Sequence, residues 1–260
     1  MKFIHLSDIH FLTGAQTVHG IDPRARLEAA VSSITANFAD AAFCMVTGDL
    51  TERAEPEAYR DVKKILDRLP FPWHPLLGNH DIRAQARAVL DKLPWHADGF
   101  LQYELQTDAG RFIALDSVRE GHHEGRLCDA RLGWLTGRLD AARDASQDVY
   151  LFIHHPPFDI GIDWLDGIKL LDGDDLAAVL GKYSNIRHIF MGHVHRPCHG
   201  TWHGIPFSIT RAVAHQAALF SAGTGGHFIE ENPAYSVVSI SGDGIVINDH
   251  SFLEEGRPRD

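Results

Sequence analysis

Pro75-Leu76-Leu77-Gly78-Asn79-His80-Asp81 is the stretch on which the reading of this chain turns: a short apolar run stops abruptly in Gly-Asn-His-Asp. The same construction recurs four more times. Phe3 to Leu6 leads into Asp8-Ile9-His10, Ala42 to Val46 into Gly48-Asp49, Val149 to Ile153 into His154-His155, and Ile186 to Met191 into Gly192-His193-Val194-His195. Apolar runs bounded by Gly, Asp or Asn and separated by helical periodicity mark the buried strands of an α/β protein, which gathers functional groups at the carboxyl ends of its strands. One edge of the sheet is therefore expected to receive all five clusters.

Between these runs the pattern changes period. Leu27, Val31, Ile34 and Phe38 predict a helix over about Arg24 to Ala39, and Tyr59, Val62, Ile65 and Leu66 predict another over Pro56 to Leu69, with a proline just inside its start. Residues 101 to 117 read as a hairpin around Asp108-Ala109-Gly110, and Leu132, Leu135 and Leu139 place a helix near Asp129 to Arg143. Beyond residue 198 strands dominate, with turns at His203-Gly204 and Gly242-Asp243-Gly244. The expected architecture is a four-layer α/β/β/α sandwich with two mixed sheets, one domain over residues 1–260. In it 198–260 completes the second sheet, and 156–173, without clear periodicity, forms a loop or small lid near the site.

Composition narrows the function classes. At 260 residues, 44% apolar and 23% charged, the chain suits a soluble globular protein with a sizeable core. No apolar run approaches the roughly 18 residues of a membrane span, and no basic segment with an apolar signal core precedes Phe3, so a cytoplasmic protein without a membrane partner is expected. The formal charge of −11 argues against long nucleic acids, whose binding rests on Lys and Arg contacts to phosphates. Cys44, Cys128 and Cys198 are odd in number and widely spaced, which suits neither a disulfide framework nor a thiolate zinc site.

Imidazole, carboxylate and amide donors together suit Zn, Mn, Fe or Co rather than Mg or Ca. Asp8 and His10 are two apart, as are His193 and His195, so at an extended strand end each pair points one way. Most other histidines read as structural or solvated: His5, His74 and His188 within strands, and His19, His96, His122, His123, His199, His203, His227 and His250 in loops or at turns. His155, next to His154 in a strand, is expected to point the opposite way and either to support the site from behind or to serve the fold.

The ordered set D-x-H, G-D, G-N-H-D, H, G-H-x-H from residue 8 to residue 195 resembles the calcineurin-like metallophosphoesterase superfamily. The start at the first strand, the short Gly78-Asn79-His80-Asp81 cluster and His154-His155-Pro156-Pro157 resemble its small bacterial branch of class III cyclic-nucleotide phosphodiesterases and glycerophosphodiesterases. Leu50-Thr51-Glu52-Arg53 stands where Ser/Thr protein phosphatases carry Asp and Arg, and Leu50 to Ala54 lacks the tyrosine of purple acid phosphatases.

The resemblance implies two divalent transition-metal ions, manganese, iron, zinc or cobalt. One is held by Asp8, His10, Asp49 and His195, the other by Asp49, Asn79, His154 and His193, with Asp49 as bridge. It also implies attack by a metal-bridging hydroxide on a small phosphodiester, a cyclic nucleotide such as cAMP or a glycerophosphodiester, and leaves room for a homo-oligomer, dimer or higher. Two ions, two carboxylates and a hydroxide leave a net charge of about +1 for the substrate, and metal binding brings the pKa of water down to roughly 7. His80 is expected to contact the phosphoryl oxygens and help protonate the leaving alkoxide. Asp81 is expected either to orient it or to cap a helix near Arg83, and His215 to reach the substrate pocket. The alternatives are a phosphomonoesterase acting on a small metabolite or nucleotide, and a metal-free scaffold.

Overall fold

The structure, a computed structural model, describes residues 1–220 and 228–253; His227 and residues 254–260 lie outside the described residues. In chain order the elements are β1 (Lys2–Leu6), α1 (Pro23–Asn37), β2 (Cys44–Thr47), α2 (Pro56–Leu66), β3 (Trp73–Leu76), α3 (Arg83–Val89), β4 (Tyr103–Thr107), β5 (Gly110–Leu115), α4 (Asp129–Asp144) and β6 (Val149–Ile153). They continue with α5 (Asp163–Asp166), α6 (Gly173–Leu180), β7 (Ile186–Met191), β8 (Cys198–Trp202), β9 (Ile205–Ile209), β10 (Gln216–Ala217), β11 (Phe228–Ile229), β12 (Ala234–Ser241) and β13 (Gly244–Ser251).

Two mixed sheets face one another, ordered β13-β12-β1-β2-β3 and β4-β5-β6-β7-β9-β8. β1, β2 and β3 are parallel, as are β5, β6, β7 and β9, while the hairpins β12–β13, β4–β5 and β8–β9 supply the antiparallel edges. The five clusters therefore do not share one sheet edge: three end strands of the five-stranded sheet and two end strands of the six-stranded one. Nor does the late segment complete a single sheet. β8 and β9 extend the six-stranded sheet, whereas β12 and β13 flank β1 in the other.

Side-chain alternation along the strands assigns residues to layers. On β6, Tyr150 and Phe152 join the core that holds Leu27, Val31 and Ile34 of α1 and Tyr59, Val62 and Ile65 of α2. Val149, Leu151 and Ile153 of the same strand join Leu135 and Leu139 of α4 and Leu176 and Leu180 of α6. The inter-sheet seam is aromatic. Phe3 of β1 lies 5.6, 5.9 and 5.4 Å, centroid to centroid, from Phe112, Phe152 and Phe190 of the opposite sheet, all edge-on. Burying each such ring stabilises the fold by about 2 kcal/mol. Helix α1 starts where the Asp22 carboxylate accepts from the amides of Arg24 and Ala25, ahead of Pro23 in its first turn. Among the described residues no helix is long and apolar enough to cross a membrane.

Two histidines read as structural carry an acid-sensitivity into this seam. His188 shares a hydrogen bond with the Ser208 hydroxyl at 2.9 Å and His5 one with the Thr47 hydroxyl at 2.8 Å, both against Phe190. Burial, with neighbouring His199 a smaller influence, pushes the His188 imidazole down to about 4; burial, and then His188, pushes His5 to about 3. Because the unfolded chain takes up these protons near pH 6.5 and the folded one does not, the stability they carry is complete above pH 6.5. It is lost progressively as pH falls toward 4, on the order of 3 kcal/mol for each histidine. His188→Gln, which keeps a hydrogen-bonding group beside Ser208, is expected to show a shallower fall of Tm between pH 6.5 and 4. A slope identical to the wild type would mean that His188 is not held neutral in the fold.

Candidate metal centre

Where the two sheets meet at their strand ends, the backbone leaves the extended conformation at once. Among the described residues nine non-glycine residues have positive φ, and five of them are Asp8 (55°), His10 (46°), Asp49 (48°), His193 (71°) and His195 (55°). Left-handed backbone is costly for such residues and persists only where the surroundings impose it, a pattern that collects at functional sites. Asp8–His10 and His193–His195 are thus not alternate residues of an extended strand. Left-handed turns, rather than pleat alternation, aim the paired side chains. Glycine is needed beside them: at Gly48 (φ 94°) a Cβ would lie 2.4 Å from His154 Nδ1, and at Gly78 a Cβ would lie 2.2 Å from Asp49 Oδ1.

The ring nitrogens are sorted by what lies behind them. His10 Nδ1 donates to Glu52 Oε2 at 2.7 Å and His195 Nδ1 donates to the carbonyl of His215 at 2.8 Å. In the neutral rings both Nε2 atoms therefore carry lone pairs, yet they face each other at 2.9 Å. Two lone pairs at that distance repel unless a cation lies between them. Asp8 Oδ1 is 3.5 Å from His195 Nε2 and Asp49 Oδ2 is 3.4 Å from His10 Nε2, so Asp8, His10, Asp49 and His195 form one buried donor group. Alongside it, His154 Nδ1 donates to the Thr47 carbonyl at 2.6 Å and turns Nε2 toward Asn79 Oδ1 (3.2 Å) and Asp49 Oδ2 (3.5 Å). His193 Nδ1 meets the same Asn79 Oδ1 at 2.9 Å. All seven residues expected as ligands come together, with Asp49 Oδ2 adjoining both groups.

The electrostatics suit cations. Although burial opposes ionisation, His154, His80 and His10 hold Asp49 well below the usual carboxylate range. Against the same burial penalty, Asp49, and more weakly Asp8 and the Thr47 carbonyl, raise His154 to about 9. The pocket is anionic enough to keep a proton on a fully buried imidazole, and a divalent ion would take that proton's place. The donor set, the lone-pair geometry and the charge all fit divalent transition metals.

Four further expected residues fall as follows. His80 lines the cavity; its Nδ1 donates to the Glu52 carbonyl at 3.0 Å and its backbone N–H donates to Asp49 Oδ1 at 2.9 Å. Asp81 neither orients His80 nor caps α3, which follows Ile82 with no side-chain cap. Its carboxylate is turned under the loop, accepting from the amides of Gly78, Leu50 and Thr51 and from the Tyr59 hydroxyl at 2.9 to 3.3 Å. Burial, with the Asp49 charge beside it, pushes Asp81 up to about 6. His155 does not point away from the site: its ring lies 4.7 Å from that of His193 and 4.8 Å from that of His154, while its nitrogens share hydrogen bonds with Ser117 Oγ at 2.8 Å and the His123 carbonyl at 3.2 Å. His215 reaches the cavity, its ring 4.3 Å from that of His195 and 5.0 Å from that of His10.

Glu52, His19 and His123, none of them singled out by motif, also line this cavity of about 380 Å³. Asn79 Nδ2 donates to His123 Nδ1 at 3.3 Å, which leaves Asn79 Oδ1 directed at the imidazoles. His19 stacks on Phe228 at 4.3 Å. Glu52 stands three residues past Asp49, but in sequence nothing distinguishes it from a solvated loop carboxylate. His19 and His123 are exposed, as solvated loop residues should be, yet both also line the cavity.

An α/β/β/α sandwich that brings imidazole, carboxylate and amide donors together between its sheets defines a metal-dependent hydrolase. The calcineurin-like phosphoesterase profile matches residues 1–197, and the chain belongs to that family. A "probable cyclic nucleotide phosphodiesterase" of Rhodopseudomonas palustris is 40% identical, covering 98% of this chain and 94% of its own length. The "glycerophosphodiester phosphodiesterase GpdQ" of Enterobacter lignolyticus is 27% identical, covering 99% of this chain and 94% of its own. In structure, a dimetal phosphatase from Danio rerio superposes with a TM-score of 0.75 at 16% identity, over 97% of this chain and 96% of that one, a likeness of fold.

Proposed function

We propose that this protein is a binuclear-metal phosphodiesterase for small phosphodiesters, with cyclic nucleotides and glycerophosphodiesters as the two candidate classes. The observation that carries the reading is the single Asp49 Oδ2 lying about 3.4 to 3.5 Å from imidazoles of both donor groups. Asp8, His10, Asp49 and His195 would hold one ion, and Asp49, Asn79, His154 and His193 the other. When bound, two such ions supply hydroxide at neutral pH and Lewis-acid charge for the phosphoryl oxygens. The protein's own part is to fix the donors. Glu52 and the His215 carbonyl set the tautomers of His10 and His195, Thr47 sets that of His154, and His123 sets the amide of Asn79. His80 faces the cavity as the group for the phosphoryl oxygens and the leaving oxygen.

The preference for a diester rests on charge. Among the described residues lining the cavity none is Lys or Arg, so beyond the ions only the His80 imidazole is placed to answer the second negative charge of a monoester. With about one net positive charge left at the loaded centre, a diester monoanion is matched. The relatives' names point to the same two diester classes. For the metal-reconstituted protein, kcat/KM is expected to be higher for bis(nitrophenyl) phosphate than for nitrophenyl phosphate at the same pH. A preference of about tenfold or more for the monoester would promote the phosphomonoesterase reading instead. A metal-free scaffold would turn over neither ester and would take up no ions.

A further inference from the structure

We propose that the apolar wall of this cavity is a binding face for a flat, uncharged heterocycle, so that the substrate is a nucleotide diester rather than a glycerol diester. The wall is made by Trp164 and Leu165 of α5, Ile168 just beyond it, and Phe228 of β11. The inference rests on the phosphodiesterase reading and adds a substrate class to it.

The cavity has two chemically different sides. The imidazoles, Asp49 and Asn79 provide one, and every polar atom a single phosphate needs is there. The other side is hydrocarbon and aromatic ring, and a phosphate gains nothing from it. A glycerol or amino-alcohol arm, hydroxylated or charged, would lose hydration against such a surface without recovering hydrogen bonds. A heterocycle suits such a surface, because every base presents a π-face that can pack against an aromatic side chain.

The wall is built to hold shape. Trp164 meets Phe228 at 5.7 Å with the ring planes at 83°, and Phe228 is braced by His19 at 4.3 Å and by His215 at 4.2 Å. Leu165 is almost fully buried beneath them, which fixes the short helix that carries Trp164. A volume of about 380 Å³ lies within the range of roughly 300 to 1,000 Å³ common for small-molecule sites, and leaves space for a nucleoside beside the phosphate. Aromatic faces also attract quaternary ammonium groups. The carboxylates among the lining residues are, however, Asp49 and Glu52, and Glu52 is held on His10 at 2.7 Å, with His80 at 3.5 Å. The wall itself carries no charge to pair with a cation.

The test uses Trp164→Ala and Trp164→Phe in the full chain, with two readouts. In the metal-reconstituted enzyme, kcat/KM is measured for 3′,5′-cyclic AMP, glycerophosphoethanolamine and glycerophosphocholine. Binding of adenosine, which has no phosphate and needs no metal, is measured by calorimetry. Trp164→Ala is expected to lose about tenfold or more on cyclic AMP, carried by KM, and to weaken adenosine by a similar factor. It should change glycerophosphoethanolamine by less than about twofold, and Trp164→Phe should restore most of the loss. Equal losses on the cyclic nucleotide and the ethanolamine diester, or adenosine binding indifferent to Trp164, would overturn the proposal. So would a preference for glycerophosphocholine that disappears with Trp164, which would make the wall an ammonium cage. If adenosine binding depends on Trp164 while no diester is cleaved, the phosphodiesterase reading falls and the heterocycle site stands.

Discussion

Asp49→Ala is expected to remove both metal ions and to lower turnover by about 10³-fold or more, the largest effect of any single substitution in this protein. Asp49 is buried, and its Oδ2 lies between His10 and His154, so no other side chain is shared by the two donor groups. Removing it takes away the charge that holds His154 up at about 9 and that stands first among those keeping His80 above the usual imidazole range. The same substitution breaks the bond from the His80 amide, which docks the Gly78–Asp81 turn onto the site. By contrast, Asn79→Ala should spare the Asp8–His10–His195 group and mainly weaken the second ion, because a neutral amide is a poorer ligand than a carboxylate. Elemental analysis after reconstitution, alongside kcat on a diester, separates the two. Full activity and about two ions per chain in Asp49→Ala would refute the ligand assignment.

The contrast between those variants also marks what the sequence could carry. Strand order brought out the five polar clusters, because an apolar run that stops in a polar cluster is legible without knowing which sheet the strand enters; picking Asp8, His10, Asp49, Asn79, His154, His193 and His195 out of them rested on the family resemblance. Sheet membership was not legible, since pairing is decided by contacts distant in the chain, and both the site and residues 198–253 divide between the sheets. The left-handed turns at Asp8, His10, His193 and His195 were hidden as well, since nothing in D-x-H or G-H-x-H distinguishes a left-handed residue from an extended one. Asp81 illustrates a further limit. A carboxylate beside a histidine in sequence invites pairing with it, yet the tight turn offered it the amides of Gly78, Leu50 and Thr51 first. Of the two roles expected of Asp81, the contact that would orient His80 is made instead by the Glu52 carbonyl, 28 residues from His80 along the chain. Within 156–173, read as a loop or lid, the one-turn helix α5 sets Trp164 and Leu165 on the cavity.

His80→Ala is expected to lower kcat by about 10² to 10⁴-fold while leaving metal content unchanged, the range over which a positioned proton donor contributes. The Glu52 carbonyl can only accept, so His80 Nδ1 must carry a hydrogen, and Nε2 is left as the atom that gains or gives up a proton. Burial alone would push that proton off. Asp49, the Glu52 carbonyl and the Glu52 carboxylate together outweigh burial and raise His80 above the usual imidazole range, which favours the proton-donating form of the ring. A proton matters most where the leaving oxygen is a poor one. The loss should therefore be larger for an alkoxide, as in a ribose or glycerol diester, than for a nitrophenolate, which departs without one. Glu52→Gln removes the carboxylate but not the carbonyl, and should reproduce part of the effect by lowering the His80 pKa and loosening His10. An equal loss on both leaving groups would restrict His80 to holding the phosphate, and loss of metal in His80→Ala would place it among the groups that keep the ions bound.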